Sequence, residues 1–98
     1  MIECKEIDLS NQEMDPSGFY VLIKVDLITR RIGVKVEDKE HHEWETFWGR
    51  QAQDIYCAIL SHDMALKWFT SLIHVAYLGK ELKKAEISLA TGGSYYQE

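Results

Sequence analysis

Four residues near the C-terminal end of the chain carry side chains that do chemistry: His74, Tyr77, Glu81 and Lys84. Histidine titrates close to neutrality, a phenol donates or accepts a hydrogen bond, and a carboxylate and an ammonium supply opposite charges. Spacings of three, four and three residues gather them on one side of an α-helix. Such a set suits a polar ligand or partner held against the helix. It also suits acid–base catalysis, with His74 carrying the proton and Glu81 orienting it. A plain structural reading competes with both. Tyr77 would pack its ring at the core edge, His74 would be half-buried near the first turn, and Glu81 would pair with Lys84 at i, i+3 for about 0.2–0.5 kcal/mol.

The helix that positions these groups is predicted to run from about Ser71 to Ala90. At about 100° per residue, Val75, Leu78, Leu82, Ala85 and Leu89 form an apolar stripe about 80° wide, the expected core face. His74, Glu81, Ser88, Tyr77 and Lys84 follow along the adjoining flank, where core meets solvent. Gly79 lies at the stripe's edge, where a missing side chain lets a neighbouring backbone come close. Gly92 and Gly93 end the helix, since a left-handed residue there satisfies free carbonyls. Tyr95 and Tyr96 follow and either fold back over the core or cover a partner's surface.

Upstream of that helix the pattern is mostly extended. Ile2 to Leu9 alternates loosely as a first strand, and Asp15-Pro16-Ser17-Gly18 is a turn signal, because proline presets φ and glycine tolerates positive φ. "FYVLIKVDL" and "RIGVKVE" form a hairpin rich in β-branched and aromatic residues. The first of these is apolar on both faces, which suits a central strand. The second has one polar face, which suits an edge or a solvent-facing side. Residues 38–48 stay open: Trp44 and Trp48 are four apart as on a helix, but Trp44-Glu45-Thr46-Phe47 also fits a short strand. From Gly49 a helical period takes over through Ala52, Ile55, Tyr56 and Ile59. A break is expected within "SHDMALKWFTS", where Ser61 and Asp63, or Thr70 and Ser71, offer helix caps. Strands first and helices last give an α+β fold. The expected architecture is a single domain over residues 1–98, with an antiparallel sheet of about three strands followed by two or three helices packed on one face.

Composition narrows the function. With 98 residues and 46% apolar content, the chain has one core and folds without staples. A net charge of −5 argues against nucleic-acid binding, which usually needs a basic face, since the small basic clusters are each offset by nearby acids. No apolar run is long enough for a membrane span or signal peptide, and Cys4 and Cys57 form no CxxC pair, which together fit a reducing cytoplasm. His41 and His42 sit among acids, but neighbours on a regular element point apart, so the segment reads as a solvated charge run and no metal is expected. His62 carries still less signal. No phosphate loop, hydrolase elbow or dinucleotide fingerprint is present, and no cofactor is expected. Three tryptophans, at 44, 48 and 68, exceed what one small core encloses, which predicts a homodimer with the sheet at its interface.

"HVAYLGKELKKAE" followed by glycines and "YYQE" resembles a domain of unknown function usually fused to pterin-binding, dihydropteroate-synthase-like proteins. The matching positions are His74, Tyr77, Leu78, Gly79, Lys80, Glu81, Leu82, Lys84, Ala85 and Glu86, then Tyr96, Gln97 and Glu98. "DPSGFYVLIKVD" is similar to the earlier part of that domain. The resemblance implies a link to pterin or one-carbon metabolism and no established activity. With no room for a pterin-binding barrel, the chain would meet a pterin-binding protein in trans. The combined expectation is a small cytoplasmic binding or accessory module whose contact surface comprises His74, Tyr77, Glu81, Lys84, Tyr95 and Tyr96. The alternatives are a small enzyme of pterin-linked chemistry with His74 as acid/base, and a structural homodimer without a small ligand.

Overall fold

Alternating side chains build the sheet. The structure is a computed structural model that describes residues 2–7, 18–70 and 72–92. Strands β1 (Ile2–Ile7), β2 (Phe19–Asp26), β3 (Arg31–Asp38) and β4 (Glu43–Gly49) form an antiparallel meander in the order β1-β2-β3-β4. Val21, Ile23 and Val25 of β2 and Ile32, Val34 and Val36 of β3 all point to one face and are fully buried. Three helices follow: α1 (Ala52–Leu60), the single turn α2 (Ala65–Trp68) and α3 (Leu72–Thr91). Helix α3 lies across β2 and β3, and α1 packs on β4 and α3. This is the expected α+β class, with the helices on one face of the sheet. Among the described residues no helix is long and apolar enough to cross a membrane.

The open segment becomes the fourth strand. Pairing of Val36 with Glu45, Val34 with Phe47 and Ile32 with Gly49 extends the core face, while Trp48 lies opposite Gly33 on the other face. A bulge between Val36 and Glu37 breaks the alternation near Trp44. β3 is therefore internal, with β4 beyond it; its polar face marks the side away from the helices, not an edge. The Trp48 indole lies flat on Gly33, where a Cβ would come within 2.7 Å of the ring. The Arg31 guanidinium sits 4.8 Å from the same indole.

Turn chemistry closes both hairpins. Asp26 Oδ1 accepts hydrogen bonds from the N–H groups of Ile28 and Thr29 at 3.0 and 3.2 Å, and Arg30 completes the β2–β3 turn at φ 56°. Asp38 Oδ1 accepts from Glu40 and His42, and its Oδ2 from Trp44 Nε1, which shapes the β3–β4 turn. The helical stretch breaks twice where one break is expected, at residues 61–64 and again at Phe69–Thr70. Gly92, at φ +70°, ends α3 as predicted. The Asp15-Pro16-Ser17 turn and residues 8–9 of the first strand lie outside the described residues. Of the tryptophans, Trp68 is buried in the core, while Trp44 and Trp48 remain 48% and 39% exposed.

Candidate functional site

The polar groups of α3 sit deeper than a flank. His74 is fully buried, Glu81 is 2% exposed and Ser88 7%, in the same arc as Leu78, Leu82, Ala85 and Leu89. Val75, expected on the core stripe, is only half-buried. On the helical wheel the buried arc is thus rotated by about 40° toward the polar residues. The cause is where the sheet lies. Contact with β2 and β3 decides which side of α3 is covered, and a count of apolar residues does not.

Within this arc, His74 Nδ1 is 3.4 Å from Thr70 Oγ1 in the segment entering the helix. Glu81 lies two turns further on, about 10 Å along the axis. Lys84 Nζ stands 3.9 Å from Glu81 Oε1, with the lysine side chain 41% exposed. Lys84 thus carries compensating charge from the solvent side to a carboxylate that burial would otherwise penalise. Tyr77 is half-buried and packs against the core. The expected quartet comprises two buried groups, His74 and Glu81, roofed by two that reach solvent, Tyr77 and Lys84. Tyr95 and Tyr96 lie outside the described residues.

Other conspicuous positions of the helix serve the fold. Gly79 admits the Tyr56 ring of α1, since a Cβ there would stand 3.2 Å from Tyr56 Cε1. The neighbour it accommodates is a ring and not a backbone. Glu86 Oε1 accepts the N–H of Ala52 at 3.2 Å, capping α1, whose own N-cap Gln51 provides no side-chain bond. Tyr56, Gly79, Lys83 and Glu86 also line a cavity of about 270 Å³ between α1 and α3.

A second titratable cluster escaped the sequence. His62, in the α1–α2 turn, has Nε2 3.3 Å from Glu45 Oε2 on β4. Its Nδ1 accepts the N–H of Met64 at 3.0 Å, so the proton of the neutral ring sits on Nε2 and is donated to Glu45. The ring lies 4.6 Å from that of Trp68 and 5.8 Å from that of Phe47. Both nitrogens being engaged, this histidine clamps the helical layer to β4.

The charged segment after β3 is more ordered than a solvated run. His41 adopts φ 65°, stacks on Tyr20 with centroids 4.9 Å apart, and reaches Glu37 Oε1 at 3.1 Å. Hydrogen bonds, first that from His42 N–H, hold Asp38 below its ordinary carboxylate range. Burial pushes Glu37 upward, but hydrogen bonds from His41 and Lys35 outweigh it and lower it overall. Among the described residues no three His, Cys, Asp or Glu side chains converge as metal ligands.

Comparison with known proteins gives one match. The family model PterinBD-DUF4346 covers residues 14–98. No curated protein and no solved structure matches the chain significantly.

Proposed function

The chain belongs to the PterinBD-DUF4346 family, and we propose that it is a binding or accessory module of pterin or one-carbon metabolism that works with a pterin-binding protein. One observation carries the reading: α3 keeps titratable side chains in the arc that the sheet covers. It buries His74 at 0% and Glu81 at 2% exposure beside Leu78 and Leu82. Burying an imidazole and a carboxylate costs free energy that leucines at those positions would not. Departures of this kind from what stability favours concentrate at functional sites. Tyr77 and Lys84 form the rim that a polar ligand or partner meets first, and His74 and Glu81 supply donor and acceptor groups beneath. The exposed thiol of Cys57, in no disulfide, supports a reducing cytoplasm as the place of action.

Calorimetric titration with a panel of oxidised and reduced pterins, and with a purified pterin-binding protein of the same source, tests this. Binding that Tyr77→Phe and Lys84→Glu each weaken by about tenfold without loss of folding is expected. Absence of binding to every pterin and to the protein partner contradicts it. The enzyme alternative makes the opposite forecast: wild-type turnover of a pterin, abolished in His74→Ala with the fold intact.

The homodimer reading has its own support in the half-exposed Trp44 and Trp48 on β4. Light scattering at micromolar concentration that returns a monomer mass removes it.

A further inference from the structure

The side of α3 turned away from the sheet has a composition unlike the rest of the chain. Its exposed positions include Leu72, Ile73, Ala76, Lys80, Lys83 and Ile87, and none of its exposed positions is acidic. Yet acids outnumber lysines and arginines in the chain by 16 to 11. Exposed helix faces are ordinarily laced with charges of both signs at i, i+4. Here a stripe spanning about 22 Å and an arc of about 100° carries aliphatic groups and cations only. Lys80 makes no ion pair with a described residue, and Lys83 reaches only the half-buried Glu86, at 3.8 Å.

From this we infer that the outer face of α3 docks a protein partner that presents aliphatic side chains bordered by carboxylates. Charge complementarity selects that occupant over two others. A second copy of this chain is disfavoured because Lys80 and Lys83 straddle the middle of α3. A two-fold pairing along the face therefore sets the lysines of one copy against those of the other. An anionic bilayer is disfavoured because two lysines fall short of the clusters of about four to eight that hold a segment at a charged membrane. An acidic partner neutralises both lysines and covers Leu72, Ile73 and Ile87 together. The inference goes beyond the proposed pterin-linked reading and does not use its residues, since this face lies opposite His74 and Glu81.

Isotope-labelled full-length protein is titrated with two synthetic helical peptides that share a leucine face and differ only in carrying glutamates or lysines beside it. The glutamate peptide is expected to shift the amide resonances of α3's outer positions, with affinity that falls as salt rises. The double change Lys80→Glu/Lys83→Glu is expected to weaken it by about tenfold or more and to admit the lysine peptide instead. Equal binding of the two peptides, shifts located elsewhere, or indifference to the charge reversal overturns the inference. So does binding to phosphatidylserine vesicles without binding to the peptide, or self-association that Ile87→Asp abolishes. Pterin binding measured on the same variants is expected to be unchanged, which keeps the fate of this surface separate from that of the pterin-linked site.

Discussion

The two sides of α3 each depart in part from the usual relation between burial and polarity. The covered side holds Leu78, Leu82 and Ala85 at 0% exposure, but it also holds His74 and Glu81. The bare side leaves Leu72 more exposed than Lys83, whose side chain is 67% accessible. A helix arranged only for stability would exchange several of these residues between its two sides. The difference separates two demands on one element. Leucines and alanines fix α3 on β2 and β3, and the buried imidazole and carboxylate share that covered side at a desolvation cost that apolar side chains would not carry.

The comparison breaks most visibly at its leucines. Leu82→Ala should destabilise by roughly 2–5 kcal/mol, the usual result of truncating a buried leucine, whereas Ile87→Ala on the bare side should stay within about 0.5 kcal/mol of wild type. Urea denaturation of both variants reads this directly, and similar losses at the two sites would show that α3 is rotated differently. A smaller effect is expected at the border between the two sides. Glu86→Ala removes the cap of α1 and should cost roughly 0.5–1 kcal/mol, with faster amide exchange confined to the first turn of α1.

Acid sharpens the comparison further. Asp38 and Glu37 have folded values below their ordinary 3.8 and 4.5. A lowered carboxylate contributes stability that is present above its unfolded value and is lost as pH falls through the folded one. The β3–β4 turn is therefore expected to loosen below about pH 4, while α3, anchored by leucines, keeps its protection. Hydrogen exchange at successively lower pH checks this. Loss of α3 protection before that of the turn would contradict it.

How much of this was legible beforehand depended on the range of the forces involved. The β2–β3 hairpin and α3 were readable because their apolar periods are local and long. β4 was not, because Trp44 and Trp48 imitate helical spacing and the bulge at Val36/Glu37 interrupts alternation. For the same reason the polar face of β3 leaves two readings open, an edge or a solvent-facing side, and only pairing with β4 decides for the second. The quartet on α3 was legible as a set, but its depth was not, since the sheet and not the helix decides which arc is covered. His62 and Glu45 are 17 residues apart, on a turn and an unassigned strand. Only the packing of α1 on β4 brings them together, and no sequence spacing announces it.

The central claim is that α3 keeps polar groups in its buried arc for binding and not for stability. Glu81→Met tests it most directly, because methionine fills a similar volume without a charge to bury. Equilibrium urea denaturation of this single variant should show stability unchanged or slightly raised, because the carboxylate no longer has to be desolvated and its partner Lys84, 41% exposed, keeps its water. A loss of roughly 3–5 kcal/mol, the size seen when a needed buried ionic partner is removed, would show that Glu81 holds the fold together and would contradict the account.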